Sequence, residues 1–191
     1  AQDIEFTIED GELFILQTRN AKRTAQASVK IAVDMHNEKI LSKQEAVNMI
    51  DADQITSVLH PQFVDSVSKE LFGKGLNASP GAAVGEIVFD AEKAEIEAAR
   101  GKKAILVRDE TSPEDISGMF TSVGILTTKG GMTSHAAVVA RGMGKPCIVG
   151  AENLKIDKDE RKISNGQITI EEDDLISLDG STGEIFLGAV S

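Results

Sequence analysis

Gly130-Gly131-Met132-Thr133-Ser134-His135-Ala136-Ala137-Val138-Val139-Ala140-Arg141 sets a histidine between a glycine-and-hydroxyl loop and an unbroken run of small apolar residues. The run beginning at Ala136 reads as a buried helix, with Thr133 and Ser134 supplying hydroxyls and a cap. Gly130 and Gly131 allow close approach of backbone to an anion, and the first N–H groups of the helix, at the positive end of its dipole, face whatever binds there. The same dipole favours the neutral, nucleophilic imidazole. Val123–Leu126 reads as a strand before this loop and Cys147–Val149 as a strand after the helix, so the order is strand, loop, helix, strand. That order places His135 at the carboxyl end of a strand, where α/β folds collect their chemistry. Two readings follow from these residues alone: a phosphorylated histidine, or a histidine that merely caps a buried helix.

The longer segment carries a resemblance. With Met132 after the glycine pair, Ala136-Ala137-Val138-Val139, and Arg141-Gly142-Met143-Gly144-Lys145, it resembles the phosphohistidine signature of the pyruvate, phosphate dikinase family. Phosphoenolpyruvate synthase and enzyme I of the bacterial sugar phosphotransferase system share the signature but more often carry Arg at the Met132 position. The resemblance implies a catalytic His135 that shuttles a phosphoryl group between two sites. Gly130, Gly131, Thr133, Ser134 and Arg141 would support the phosphate loop. Plant relatives are switched off by phosphorylation at the threonine matching Thr133, which makes Thr133 a candidate regulatory site.

Around this segment the chain is expected to be α/β. Val84–Phe89 and Lys103–Val107 read as strands, with a helix over Asp90–Arg100 closed by Gly101 between them. Ser112-Pro113-Glu114-Asp115 combines a cap, a first-turn proline and two first-turn acids, a helix start. Further β-runs are expected at Gln167–Ile170, Leu175–Leu178 and Glu184–Leu187. Leu76-Asn77-Ala78-Ser79-Pro80-Gly81 reads as a turn before Val84, with a second phosphate loop as the alternative. The resemblance implies a swivelling β/β/α phosphohistidine domain over residues 73–191, beginning at the Gly73-Lys74-Gly75 punctuation, and puts Thr111–Asp115 near the His135 loop, where it would shape the pocket without being catalytic.

Residues 1–72 read differently. Ile4, Phe6 and Ile8 alternate with polar residues, Asp10-Gly11 signals a hairpin turn, and Leu13–Leu16 returns. An isolated hairpin is marginal in water, so these strands are expected to belong to a larger sheet. Asp3, Glu5, Gln17 and Arg19 fall on the two arms. From spacing they are a solvated sheet face, the alternative being a site for magnesium and nucleotide phosphates. Helical patterning follows to about Phe72: Ala25, Val29, Ala32 and Val33, then the capping box Ser42-Lys43-Gln44-Glu45, then Ile55, Val58 and Leu59 before His60-Pro61. His36 and His60 lack any loop chemistry and read as structural. The strands Asp3–Thr7 and Leu16–Arg19 resemble the last strands of the dikinase ATP-grasp nucleotide-binding domain. That resemblance implies Glu5 and Gln17 as metal or nucleotide ligands and Arg19 as holder of a terminal phosphate, with Asp3 a weaker candidate. Residues 1–72 would then be the tail of an incomplete ATP-grasp domain plus a helical connector.

Composition sets bounds consistent with this. The 191 residues, 41% of them hydrophobic, suffice for a proper core in one or two domains. A net charge of −11 with neither Trp nor Tyr argues against nucleic acid. Cys147, the only cysteine, excludes an internal disulfide or a zinc cage and reads as a buried small hydrophobe. No apolar run approaches membrane-spanning length, so the chain reads as cytoplasmic, with an organelle left open by a lost transit segment. Its start at Ala1 reads as an excised piece. The resemblance implies a homodimeric parent that uses ATP and magnesium, interconverting ATP, phosphate and pyruvate with AMP, diphosphate and phosphoenolpyruvate. Its pyruvate site would lie on a further barrel domain. Phosphoenolpyruvate synthase, enzyme I and a carrier module phosphorylated by a separate protein are the alternatives.

Overall fold

The computed structural model describes residues 2–21, 23–63 and 69–190, without the side chains at 53, 54, 56 and 57. The chain divides into two compact units, Ala1–Leu59 and His60–Ser191.

The first unit opens with the antiparallel hairpin β1 (Gln2–Glu9) and β2 (Glu12–Asn20). Asp10 and Gly11 both have positive φ, 51° and 83°, the geometry in which an Asp-Gly pair matches strand twist. Ile4, Phe6, Ile8, Leu13, Ile15 and Leu16 are all more than half exposed, so the hairpin has apolar side chains with nothing over them within its unit. Helix α1 (Ala25–Asn37) starts where the Thr24 side chain accepts from Ala27 N–H at 3.2 Å. In α2 (Lys43–Asn48) the capping box closes both ways: Ser42 N–H donates to Glu45 Oε2 at 2.9 Å and Glu45 N–H to Ser42 Oγ at 3.3 Å. Helix α3 (Ala52–Leu59) ends before His60-Pro61. Of the connector read from the sequence, residues 64–68 lie outside the described residues.

The second unit runs β3 (Leu71–Lys74), β4 (Leu76–Ser79), β5 (Ala82–Val88), α4 (Ala91–Ala99), β6 (Ala104–Arg108), a 3-10 turn at Pro113–Asp115, α5 (Ile116–Thr121), β7 (Gly124–Thr127), α6 (His135–Met143), β8 (Cys147–Val149), β9 (Lys155–Asp157), β10 (Lys162–Ser164), β11 (Thr169–Glu171), β12 (Leu175–Asp179) and β13 (Glu184–Leu187). An eight-stranded sheet takes the order β3-β13-β12-β5-β6-β7-β8-β4, with β5 to β8 mutually parallel and the other pairings antiparallel. Its two edge strands, β3 and β4, are joined through Gly75 alone, so the sheet must curl back on itself. Strands β11-β10-β9 form a separate small sheet.

Alternation along β6 shows how the layers are filled. Ile105 and Val107 join a cluster with Leu154, Ile163 and Ile170, between the large sheet and the small one. Ala104 and Leu106 point the other way, into a cluster with Ala94, Met119, Ala136, Ala137 and Ala140 beneath α4, α5 and α6. The layering is β/β/α. Ala136, Ala137 and Ala140 are at most 1% exposed, and side chains this small let α6 lie close on its strands. Each fully buried Ile or Leu in these clusters contributes about 1.5–3 kcal/mol by leaving water.

Two sequence expectations are corrected. Leu76–Ser79 is neither a plain turn nor a phosphate loop but strand β4, paired with β8; only Pro80-Gly81 turns, Gly81 at φ 118°. Its pairing partner lies some seventy positions away, which local patterning does not reveal. Gly73-Lys74-Gly75 is not a break between units either: β3 runs through Gly73, and the division falls ahead of it, between Leu59 and His60. Strands β9 and β10 were not anticipated; three residues each is too short for a periodicity to declare itself.

Candidate functional site

Strands β6 and β7 are parallel neighbours, and the loops leaving their carboxyl ends are tied together. Thr128 N–H donates to Arg108 O at 3.1 Å, Lys129 N–H to Asp109 O at 3.0 Å, and Thr128 Oγ1 to Asp109 Oδ1 at 2.9 Å. Burial pushes the Asp109 carboxyl up, but the Thr128 hydroxyl and the Lys158 ammonium, 3.2 Å away, outweigh it and hold the group below the usual aspartate value. The paired loops form a rigid platform for α6.

His135 is the first residue of α6. Ser134 is its N-cap, with extended backbone and Oγ accepting from Ala137 N–H at 3.4 Å. Ala137 is thereby satisfied, whereas His135 and Ala136, at the first two helical positions, have N–H groups without a partner inside the helix. At the far end Gly144 takes the left-handed conformation, φ 65°, that closes a helix. A cavity of about 260 Å³ opens beside the imidazole, lined by Glu110, Thr111, Thr127, Lys129, Ser134, His135 and Ala136. Thr111 Oγ1 lies 2.9 Å from His135 Nδ1. With Nδ1 occupied, Nε2 is the ring nitrogen left for chemistry.

The structure gathers most of the residues singled out around His135, in different capacities. Ser134 caps the helix and lines the cavity. Gly130 has φ 91°, and a Cβ there would meet the Ser134 Cβ at 2.9 Å, so glycine is required on both counts. Gly131 is in open surroundings and Thr133 is exposed in the turn before the cap. Arg141 does not line the cavity. Its Nε donates to Ala137 O at 3.1 Å and its guanidinium to Met132 O, so it braces the loop through the backbone. Cys147 is fully buried beneath α6, and burial pushes its thiol up to about 12.

Lys129 is not among the candidates read from the sequence, and Thr111 is placed near the His135 loop only by the resemblance, as a shaper of the pocket. From its local sequence Thr111 reads as part of a helix cap. The cap exists, since Ser112 N–H donates to Asp115 Oδ2 at 2.8 Å, yet the residue before it reaches the histidine. The signal was Thr111's place on the loop after a strand adjacent to the one that feeds His135.

In the first unit, strand register pairs Asp3 with Arg19 and Glu5 with Gln17, which puts all four on one face of the hairpin. Arg19 Nε is 3.2 Å from Asp3 Oδ2, both exposed. Glu5 and Gln17 offer a carboxylate and an amide oxygen side by side, hard donors of the kind magnesium takes alongside substrate phosphates. Among the described residues no group of three or more His, Cys, Asp or Glu is placed to hold a metal by itself, and no helix is long and apolar enough to cross a membrane.

Residues 100–183 match the mobile domain of PEP-utilising enzymes. A pyruvate, phosphate dikinase of Rhizobium meliloti (strain 1021) is 52% identical over 99% of this chain and 21% of its own length. That of Rickettsia prowazekii (strain Madrid E) is 54% identical over 98% and 21%. Pyruvate, phosphate dikinase 1, chloroplastic, of Arabidopsis thaliana is 50% identical over 97% and 20%. An NMR solution structure of Enzyme I (nEIt) overlaps 85% of this chain and 49% of its own at 17% identity, with a TM-score of 0.33. The chain spans about a fifth of the length of the curated relatives it matches. In sequence, therefore, it is similar from end to end to a stretch of pyruvate, phosphate dikinase, and the part that holds His135 matches the mobile domain of PEP-utilising enzymes.

Proposed function

We propose that His135 is the phosphoryl carrier of a pyruvate, phosphate dikinase, accepting the group on Nε2 and delivering it to a second site by movement of its domain. The observation that carries this is the 2.9 Å contact between Thr111 Oγ1 and His135 Nδ1 at an open-mouthed cavity on a helix N-terminus. When Nδ1 holds the ring proton and donates it to Thr111, the Nε2 lone pair faces outward. Attack forms the N–P bond while the P–O bond to the donor breaks, its electron pair leaving on the donor oxygen. Positive charge developing on the ring strengthens the Nδ1–H bond to Thr111, and the Ala136 N–H and helix dipole face the arriving anion. No separate base is needed, because Nε2 carries no proton to lose.

The reaction so read interconverts ATP, phosphate and pyruvate with AMP, diphosphate and phosphoenolpyruvate. The unit His60–Ser191 would be the swivelling domain, with the unit Ala1–Leu59 contributing the end of an ATP-grasp nucleotide domain and a connector. Support for the latter is the shared face of Glu5, Gln17 and Arg19 on a hairpin whose apolar side chains lie open. Magnesium, held there by Glu5 and Gln17, would supply neutralisation of nucleotide phosphate charge. Thr133, exposed two residues before the carrier, is accessible to phosphorylation, which would add nearly two negative charges beside an anion-accepting ring.

The test is to incubate full-length protein carrying this sequence with labelled ATP, with and without inorganic phosphate, then with pyruvate. A dikinase consumes phosphate and releases diphosphate. Phosphoenolpyruvate formation at full rate without added phosphate, water being the second acceptor, would instead assign the synthase reaction.

A further inference from the structure

Among the residues lining the His135 cavity, Lys129 supplies the cationic side chain and Glu110 the carboxylate. The Lys129 main chain is fixed at three points: its N–H donates to Asp109 O at 3.0 Å, and its carbonyl accepts from Thr127 Oγ1 at 2.7 Å and from Gly150 N–H at 3.3 Å. Its ammonium, by contrast, forms no ion pair or hydrogen bond among the described residues. The nearby Asp109 feels its charge, which helps to hold that carboxyl below the usual aspartate value, but the carboxylate accepts its hydrogen bond from the Thr128 hydroxyl and pairs with Lys158. The platform thus holds the root of a long cationic side chain at the cavity and leaves its ammonium without a hydrogen-bonded partner among the described residues.

An arriving phosphoryl group needs such a charge. Phosphohistidine brings nearly two negative charges into a cavity that already holds Glu110, and the helix N-terminus offers about half a unit of compensating charge. We infer that Lys129 is the charge-stabilising residue of this site, its ammonium contacting the phosphoryl oxygens as the group arrives on His135 Nε2 and while it stays there. Lys129 keeps its proton throughout: the bond formed is N–P, the bond broken is P–O to the donor, and the ammonium only donates hydrogen bonds to the oxygens in transit. This rests on the reading of His135 as phosphoryl acceptor.

The test uses the chain itself and a donor that needs no nucleotide site. Phosphoramidate transfers its phosphoryl group to an imidazole nitrogen with release of ammonia, and the product is followed by phosphorus NMR across pH in wild type, Lys129→Gln and Lys129→Arg. In the Gln variant, phosphorylation is expected to slow about fivefold and the phosphoryl protonation midpoint to rise by about half a pH unit, with the Arg variant close to wild type. A structural role would not move that midpoint. In wild type the midpoint is also expected to rise with added salt, a measurement independent of any variant's folding. A phosphorylated His135 whose midpoint ignores both salt and the Gln substitution overturns the Lys129 assignment and leaves the carrier reading intact. A wild-type chain that takes no phosphoryl group on His135 overturns both.

Discussion

Thr111 Oγ1 and His135 Nδ1 stand 2.9 Å apart, although 24 positions separate them in the chain, because each sits on the loop leaving one of two adjacent parallel strands. If His135 is the carrier, the hydroxyl would act on the histidine without touching the phosphoryl group, as a positioning residue that selects which ring nitrogen carries the proton. Thr111→Val keeps the volume and removes the partner. It is expected to slow phosphorylation of His135 by about tenfold, equivalent to about 1.4 kcal/mol, with Thr111→Ser restoring most of the rate. Nitrogen-15 spectra of the imidazole separate this from a packing defect, since only loss of the hydrogen bond shifts the tautomer ratio.

The two loop glycines are expected to behave oppositely. Gly130→Ala places a Cβ at φ 91° and 2.9 Å from the Ser134 Cβ, straining the loop and disturbing the cap of α6. A loss of about 1–2 kcal/mol in denaturant unfolding is expected. Gly131→Ala meets nothing within 4 Å and is expected to stay within about 0.5 kcal/mol of wild type.

Asp90 caps α4 by accepting from Lys93 N–H at 2.6 Å and also pairs with Arg161 at 2.7 Å, tying α4 to the turn before β10. Burial pushes its carboxyl up, but Arg161 and the cap hydrogen bond prevail and hold it below the ordinary aspartate value. A depressed folded value stabilises the protein above the unfolded value, near pH 4, and that contribution disappears as pH falls through the folded value. Asp90→Asn retains a capping side chain but not the charge. Its stability deficit is therefore expected at neutral pH and should vanish on acidification, as read from urea midpoints at several pH values.

Cys147 tests the core beneath α6. With its thiol pushed up to about 12 and no exposed surface, it is expected to resist iodoacetamide at pH 8 in the folded protein and to react at once in denaturant. Reaction under native conditions would mean that α6 opens readily.

Charge at Thr133 is expected to block the carrier. Thr133→Asp in full-length protein should abolish phosphoryl transfer with nucleotide affinity unchanged, while Thr133→Ser should remain active, both read in a pyruvate-dependent diphosphate assay.

What the sequence disclosed follows from the range of the interactions involved. The start of α6 was legible because Ser134 is a local cap signal, as were the Ser42 and Glu45 box and the Asp10-Gly11 turn. Strand β8 was legible as a short apolar run after a helix. By contrast β4 owes its existence to β8, and β9 and β10 to each other, so neither declares itself locally. The same limit hid half of the candidate site. His135 sits in a signature that can be read on its own, whereas Lys129, and the specific contact of Thr111 with the imidazole, emerge only when β6 and β7 lie side by side.

Phosphorus and nitrogen-15 NMR of the phosphorylated full-length protein, compared with His135→Asn, tests the central claim most directly. The expected result is an acid-labile phosphoryl signal coupled to Nε2 of His135 in wild type and its loss in the Asn variant, whose cap at the start of α6 keeps the fold. An acid-labile phosphoryl signal that persists in the Asn variant would contradict the assignment of His135 as the carrier.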